Sequence, residues 1–209
     1  MIENTIEKAR SSDASRLVLT GLAYTRNCDI AFLVASDTFR VHTCEVDPDA
    51  CPCEPGTTKA ERPGTYPNWE RTIPKEHTRS ATVNAKTLET AVKACLLVAK
   101  HNANRVRLSF GNDSLKVWAT CEDHPRIEAT VRLEDSQNCQ VVSCGEASDF
   151  TIALNGRFLL DAISAWSLAP KHLKPNVQVC LKMTEPSRPV LIQTEDTVFR
   201  AVVMPMAID

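Results

Sequence analysis

The sequence lacks an apolar run of the roughly 20 residues that a membrane-spanning helix needs. Its first residues, MIENTIEKAR, form a charged helical pattern rather than the apolar core of a secretion signal. It also lacks a strong excess of either charge, because 24 lysines and arginines stand against 26 aspartates and glutamates, a formal net charge of -2. These absences predict a cytoplasmic protein that makes no contact with a membrane and is not basic all over. A local basic surface remains compatible with this near-neutral body.

No motif in the chain places a nucleophile beside a base or gathers carboxylates around a metal. The patterns Gly-x-Ser-x-Gly, a phosphate-binding Gly-rich loop and His-x-x-x-His are all missing, and the five histidines are scattered. We therefore predict a protein that is not an enzyme and that needs no cofactor.

The cysteines are numerous, nine in all, but no two of them form a Cys-x-x-Cys pair. Four lie in segments with a helix or strand pattern, where a free thiol packs as a small hydrophobe: Cys28, Cys95, Cys121 and Cys180. Cys139 and Cys144 flank a polar loop. Cys44, Cys51 and Cys53 lie close together around a Pro-rich loop, where zinc is an alternative that lacks a complete tetrahedral ligand set. The odd number favours reduced thiols, and we predict no metal site.

The first 46 residues have the pattern of a short amphipathic helix, residues 1–12, followed by three strands. Apolar runs at 17–24, 30–35 and 39–46 are separated by polar turns, which predicts an antiparallel meander. Residues 47–64 then contain four prolines and two glycines without apolar periodicity. This composition predicts a linker.

Two longer units follow, each with the order strand, helix, three strands. The elements predicted for the first are a strand at 80–83, a helix from Asn84 to His101, and strands at 106–110, 115–120 and 126–133. Those predicted for the second are a strand at 150–154, a helix at 156–168, and strands at 177–183, 190–194 and 198–204. The chain is therefore a repeat of a βαβββ unit, and its first copy lacks the opening strand. The predicted fold class is α+β, with helices on one side of antiparallel sheets.

The C-terminal stretch TVFRAVVMPMAID, residues 197–209, alternates into an apolar run that ends in Met-Pro-Met. Such a tail is either a lid on the core or half of a binding pocket. Together with PVLIQTED (189–196), LVASDTFRVHTCEV (33–46) and TYPNWERTIPKE (65–76), it resembles the pocket-forming parts of the bacterial β sliding clamp. That protein is the ring-forming processivity factor of DNA polymerase III.

This resemblance covers residues 80–209 as the last domain of the family and residues 13–46 as the first half of its middle domain. It implies a DNA-clamp fold with a half domain at 1–46, a linker and junction at 47–79, and a complete domain at 80–209. Family rings contain twelve βαβββ units, so four chains of three units each are expected to complete a homotetrameric ring. The contact expected between neighbours is head-to-tail, from the N-terminal half unit to the last unit.

The resemblance also implies one peptide-binding groove built from separated parts of the chain. The residues that it places around this groove are Leu19, Thr38, Phe39, Arg40 and Val41 of the first unit, Pro67 and Arg71 of the junction, and Pro189, Val202, Val203, Met204, Pro205 and Met206 of the last unit. We expect the two arginines to hold the polar groups of an extended peptide, and the apolar residues to take its leucine and aromatic side chains.

Four positions depart from the family pattern at this groove. Thr38 and Phe39 stand where the family usually has Gly-His, Thr72 where it often has an aliphatic residue, and the tail ends at Asp209 where Arg-Leu is common. We therefore expect a preferred peptide that differs from the usual glutamine-leucine-phenylalanine type.

Lysines recur every seven residues along the predicted helix of the second unit, at Lys86, Lys93 and Lys100. Helical geometry keeps them on one face, away from the apolar side. The resemblance implies that such helices line the central hole of a ring, where ammonium groups meet phosphates without reading bases. Arg157, Lys171 and Lys174 of the last unit are expected to face DNA with them. A merely solvated helix face is the alternative.

The function implied by the resemblance is a sliding clamp that encircles duplex DNA without sequence specificity. It would tether a polymerase, and bind a clamp loader, through short peptide motifs docked in the groove. A clamp-like adaptor that binds such peptides without forming a ring is the alternative function.

Overall fold

Three α-helices and thirteen strands are formed by the part of the chain that the computed structural model describes, residues 2–111, 113–133, 150–164, 177–194 and 198–208. The first unit contains α1 (Ile2–Ile6), β1 (Ala23–Arg26), β2 (Ala31–Ser36) and β3 (Arg40–Val46), and β4 (Thr57–Ala60) follows it. The second contains β5 (Arg79–Asn84), α2 (Ala85–Ala99), β6 (Arg105–Phe110), β7 (Ser114–Cys121) and β8 (His124–Arg132). The third contains β9 (Phe150–Asn155), α3 (Gly156–Ile163), β10 (Gln178–Met183), β11 (Val190–Thr194), β12 (Phe199–Val203) and β13 (Pro205–Met206). Short 3-10 helices lie at Glu7–Ala9, Ala14–Thr20, Pro48–Ala50 and Trp69–Thr72.

An asparagine begins each of the two longer helices. The Asn84 side chain accepts a hydrogen bond from the backbone N–H of Thr87 at 3.1 Å, and Asn155 accepts one from that of Arg157 at 3.0 Å. Each cap satisfies a donor that the first helical turn leaves free. Because the same strand-to-helix transition occurs in the second and third units, the predicted βαβββ repeat is confirmed there.

The helices α2 and α3 pack together in one layer, and a glycine allows their close approach. A Cβ atom at Gly156 would lie 2.6 Å from Val106 Cγ2 and 2.8 Å from Leu96 Cδ2. The faces of α2 and α3 that carry Leu88, Val92 and Leu159 are fully buried in the main core. None of the described helices is long and apolar enough to cross a membrane.

The strands form two antiparallel sheets, with the orders β4-β1-β2-β3-β12-β11-β10-β5 and β13-β9-β6-β7-β8. The opening strands of the second and third units are exchanged, since β5 pairs with β10 and β9 pairs with β6. The first and third units share a sheet through β3 and β12, which pair from Cys44 opposite Phe199 to Arg40 opposite Val203. Antiparallel sheets with a layer of helices confirm the predicted α+β class.

The pairing of β3 with β12 uses two strands of the units that are expected to meet between chains. The resemblance implies that the N-terminal half unit meets the last unit of a neighbouring chain, whereas the structure joins these two units within one chain. These two strands satisfy each other's backbone groups, so neither β3 nor β12 offers a free edge to a second copy.

The strand β4 occupies the place of an exchanged opening strand. It pairs antiparallel with β1, the first meander strand of its unit, as β5 does with β10 and β9 with β6. The composition of residues 47–64 predicts a linker, and four of these residues form β4 and complete the first sheet. All residues of β4 are exposed or half-exposed, so they carry no apolar alternation that could reveal a strand.

The first predicted strand begins too early. Residues 17–24 read as an apolar strand, but a 3-10 helix covers Ala14–Thr20 and β1 starts at Ala23. The side chain of Asp13 caps this helix by accepting a hydrogen bond from the backbone N–H of Ser15 at 2.9 Å. A short apolar run does not distinguish a strand from a helical turn by periodicity alone, so the pattern of residues 17–20 does not reveal the 3-10 helix. The predicted extension of α3 to residue 168 lies outside the described residues.

Candidate peptide pocket and DNA-facing helices

An apolar pocket of about 210 Å³ opens where the first unit, the junction after β4 and the strand β12 meet. Seven residues that the resemblance assigns to the groove lie on its wall: Leu19, Thr38, Arg40, Val41, Pro67, Val202 and Met204. Five further residues line it, and of these the sequence reading places only Thr72 at the groove, as a departure from the family pattern: Ser36, Tyr66, Asn68, Trp69 and Thr72. The pocket therefore needs three separated segments of the chain to be in place at once.

Two aromatic residues of the junction support the pocket wall. Tyr66 and Trp69 are 8% and 5% exposed and pack in one apolar cluster with Val41 and Val202. The indole of Trp69 donates a hydrogen bond to Thr25 Oγ1 at 3.1 Å, which fixes the junction against the first sheet. The signal for these residues is present in TYPNWERT, since large aromatic side chains beside a pocket-forming segment usually bury against it.

Six residues assigned to the groove lie elsewhere. Val203 is fully buried in the main core, because neighbouring residues of a strand point to opposite faces. Phe39 is 60% exposed and lines a separate polar hollow with Arg10 and Arg16. The remaining four do not reach the pocket wall: Arg71, Pro189, Pro205 and Met206.

The C-terminal tail serves both as part of the pocket and as a cover, the two roles that the sequence leaves open. Met204 lines the pocket, and its backbone N–H donates to the carbonyl of Phe39 at 2.9 Å. The next two residues leave the first sheet and pair as β13 with β9 of the second. Arg107 then donates two hydrogen bonds, at 2.9 and 3.2 Å, to the carbonyl of Ile208. The tail thus forms part of the pocket at Met204 and covers a sheet edge beyond it, while Asp209 lies outside the described residues.

The guanidinium of Arg40 is engaged by partners inside the protein, although Arg40 also lines the pocket. Its side chain is 9% exposed and forms ion pairs with Asp37 at 2.9 Å and Asp161 at 2.6 Å. Its remaining terminal nitrogen donates to the carbonyl of Lys8, and the group stacks 4.2 Å from the ring centroid of Phe158. Arg40 therefore ties the first unit to α3, and Arg71, which is exposed, is the arginine free to meet a ligand at the surface.

Thr38 adopts a left-handed backbone conformation at the pocket rim, with φ of +79°. Such a φ suits glycine, which the family usually has at this position, and is strained for a β-branched residue. The threonine hydroxyl accepts a hydrogen bond from Arg16 at 2.9 Å. This hydrogen bond therefore connects the Ala14–Thr20 helix with the turn before β3 at the rim of the pocket.

The predicted DNA-facing lysines of α2, Lys86, Lys93 and Lys100, are all exposed on the helix surface. Lys93 forms an ion pair with Glu89 at 2.5 Å, so this face carries a negative group that the spacing of the lysines does not show. Arg157 is exposed in the first turn of the neighbouring α3. Lys171 and Lys174 lie outside the described residues.

The three cysteines of the zinc alternative do not belong to one cluster. Cys44 lies in the main core, where burial raises the pKa of its thiol to about 11. Cys51 and Cys53 instead pack with Ala31 in a small separate cluster, and the Cys53 thiol donates to the carbonyl of Tyr24 at 3.1 Å. Among the residues that the structure describes, no three His, Cys, Asp or Glu side chains gather as metal ligands. Cys139 and Cys144 lie outside that part of the chain.

Several known proteins resemble this chain. The family model for the DNA polymerase III beta subunit, C-terminal domain, matches residues 70–207. The β sliding clamp of Haemophilus influenzae is 27% identical over 144 residues, 68% of this chain and 34% of that protein. The β sliding clamp of Helicobacter pylori is 24% identical over 131 residues, 62% of this chain and 30% of that protein.

Solved structures share the fold at lower sequence identity. The DNA polymerase III subunit beta of Pseudomonas aeruginosa superposes with a TM-score of 0.79 at 16% identity, covering 99% of this chain and 63% of that one. The beta subunit of Thermotoga maritima gives 0.76 at 18% identity, covering 100% and 64%. The matched part spans about a third of the curated relatives and less than two thirds of the solved chains. Because the family model covers more than half of the sequence, the chain belongs to the DNA polymerase III beta subunit family, the bacterial β sliding clamps.

Proposed function

We propose that this chain is a non-catalytic DNA sliding clamp that encircles duplex DNA and tethers a polymerase through its peptide pocket. The observation that carries the proposal is the apolar pocket between the first unit, the junction and β12 in a member of the β clamp family. A pocket of this size and character suits the leucine and aromatic side chains of a short peptide. Met204 on its wall has the flexible side chain that lets one site accept different apolar anchors.

The DNA side of the proposal is supported by the exposed lysines on α2 and by Arg157 on the adjoining α3. Ammonium groups on a smooth helical surface attract phosphates without reading sequence, as sliding requires. Ring closure rests on counting, since four chains of three units would supply the twelve units of a family ring. The clamp loader and the polymerase would compete for the same pocket.

The alternative is an adaptor that binds clamp-interacting peptides without closing a ring. The pairing of β3 with β12 inside one chain favours it, because these two strands are then not available to join neighbouring chains. The sliding clamp and the adaptor both need the pocket, but only the sliding clamp needs a closed oligomer.

A peptide titration tests the pocket. Changing Met204 to Ala removes an apolar contact from the wall, so the Kd of a labelled glutamine-leucine-phenylalanine peptide should rise at least about tenfold, roughly 1.4 kcal/mol. Met206→Ala is the matched control, because Met206 is half-buried in β13 away from the wall and should change the Kd less than about threefold. Equal Kd values for the parent and the Met204 variant, with both folded, would remove the pocket from the proposal.

A further inference from the structure

The outward face of the second sheet carries a concentration of positive charge. Along β6, β7 and β8 the residues alternate between the buried core, against which α2 packs, and this outward face. One acidic residue, Glu128, points outward from these three strands beside five basic ones: Arg105, Arg107, Lys116, Arg126 and Arg132. The formal net charge of the whole chain is -2, so this face differs in charge from the rest of the molecule. It also lies on the opposite side of the sheet from the lysines of α2.

An aromatic ring, that of Trp118, lies among these charges. In the register of the sheet, Trp118 is opposite Arg107 on β6 and Glu128 on β8. The guanidinium carbon of Arg126 lies 4.2 Å from the ring centroid, and that of Arg107 lies 4.8 Å from it. The indole N–H donates a hydrogen bond to Ser109 Oγ at 2.9 Å. The half-buried ring is therefore held in one orientation between two guanidinium groups.

The cations around the ring differ in how far they are open to solvent. Arg107 is buried, and its two hydrogen bonds to the carbonyl of Ile208 fix it under the C-terminal tail. The side chains of Arg126 and Lys116 are 50% and 56% exposed, and both form ion pairs with Glu128. Because one carboxylate serves two exposed cations, the positive charge beside the ring is not neutralised within this face.

We propose that the outward face of the second sheet binds single-stranded nucleic acid. A base would stack on the Trp118 and Arg126 pair, while Lys116 and the neighbouring arginines hold the phosphates. Unpaired bases stack on aromatic rings and on guanidinium planes, and a sheet face that combines a ring with basic residues offers both contacts.

The combination of ring and charge favours a single strand over other polyanions. The bases of a duplex are stacked on each other and do not reach the ring, and an acidic peptide supplies the charge without the bases. The inference goes beyond the proposed clamp function and does not depend on it, because neither the peptide pocket nor the lysines of α2 contribute to this face.

Fluorescence anisotropy at low salt with four labelled probes tests the inference. The probes are an oligothymidine of about 12 nucleotides, the corresponding oligouridine, an abasic strand of the same charge, and a duplex. Oligothymidine should bind at least about fivefold more tightly than the abasic strand, because only the former has bases to stack. Comparison with oligouridine then identifies DNA or RNA as the preferred single strand.

Two variants separate stacking from charge. Trp118→Leu should raise the Kd for oligothymidine at least about fivefold and leave that for the abasic strand within about twofold. Lys116→Glu should raise the Kd for both strands and lower the slope of log Kd against log salt by about 0.7 for the phosphate contact that it removes. Its matched control is Lys59→Glu on β4 of the other sheet, which makes the same change of net charge and should alter either Kd less than about twofold. Because Lys116 is exposed, its variant should fold even if Trp118→Leu does not.

The inference is overturned if the parent binds the abasic strand as tightly as oligothymidine, or if a folded Trp118→Leu variant binds oligothymidine as the parent does. Equal losses in Lys116→Glu and Lys59→Glu would overturn it too, as would a loss of duplex binding in Lys116→Glu as large as the loss for oligothymidine. Displacement of oligothymidine by an oligoglutamate of the same charge at equal concentration would assign the face to an acidic protein segment and equally overturn the inference.

Discussion

Arg40 shows how a residue of the pocket region can serve the fold rather than the ligand. Its two carboxylate partners, Asp37 and Asp161, lie 3 and 121 positions away along the chain, so one was within reach of sequence reasoning and the other was not. The ion pair with Asp37 is largely shielded from water, so removing Arg40 leaves the Asp37 charge uncompensated, whereas the Asp161 side chain is 32% exposed.

Changing Arg40 to Ala should therefore lower the free energy of unfolding by about 3 to 5 kcal/mol, measured by urea denaturation. Arg71→Ala, at an exposed arginine, should change it by less than about 0.5 kcal/mol and should weaken peptide binding instead. A stable Arg40 variant that loses peptide affinity would return Arg40 to the role of a ligand-binding residue.

His42 is the second residue whose place in the structure has a measurable consequence. It is fully buried, and burial lowers the pKa of its imidazole from 6.5 to about 3, although a hydrogen bond with the carbonyl of Thr5 opposes the shift. The unfolded chain takes up a proton near pH 6.5 and the folded chain does not. Stability is therefore complete above pH 6.5 and falls as the pH is lowered toward 3.

Lowering the pH from 7 to 5 should therefore reduce the contribution of His42 to the free energy of unfolding by about 2 kcal/mol, with a slope of up to about 1.4 kcal/mol per pH unit. The difference between parent and His42→Leu, followed by urea denaturation across that range, isolates the contribution. His77→Gln, at an exposed histidine, should keep the slope of the parent. An unchanged slope in the His42 variant would show that the imidazole titrates normally in the folded protein.

The residues of the pocket were only partly predictable for a physical reason. The resemblance supplies continuous segments such as residues 202–206, but a strand presents alternate residues to a pocket, so Val202 and Met204 line it while Val203 enters the core. Tyr66 and Trp69 also line the pocket, but the sequence shows only that their side chains are large and apolar, not the surface against which they pack.

At the scale of elements, predictability followed the strength of the local pattern. The helix α2 was predictable because Leu88, Val92 and Cys95 recur at helical spacing after a capping Asn84, and all three are fully buried. The strand β4 was not, because its residues, three exposed and one half-buried, owe their conformation to pairing with β1 rather than to their own pattern. Tertiary contact decides such short elements.

A testable prediction at the scale of elements concerns the exposed face of α2. Changing Lys86, Lys93 and Lys100 together to Glu should weaken binding to duplex DNA at low salt by at least about tenfold, equally for all sequences, with the fold intact. Fluorescence anisotropy with two unrelated duplexes measures it. The matched control changes three exposed lysines off the helices, Lys59, Lys75 and Lys116, to Glu and should reduce binding much less. Equal losses in both triple variants would mean that net charge, not this face, attracts DNA.

At the scale of the whole molecule, the first and third units share one continuous sheet, which β4 ends on one side and β5 of the second unit ends on the other. The second sheet ends at β8. Sequence repeats predicted the number of units, but not which edges pair within the chain, because pairing depends on the path of the backbone in three dimensions. The family relationship and the pocket are common to a ring-forming clamp and to an adaptor. What separates them is whether DNA passes through a closed oligomer.

Trapping on end-blocked DNA tests this central claim most directly and needs no loader. The protein is added to a biotinylated linear duplex before or after streptavidin blocks both ends, and bound protein is measured after a high-salt wash that removes ionic contacts. A ring threads over free ends, so the account predicts retention only when the protein is added before the ends are blocked, and its release when the duplex is then cut internally by a restriction enzyme. Retention that is absent in both orders, or equal in both, would contradict a clamp that encircles DNA.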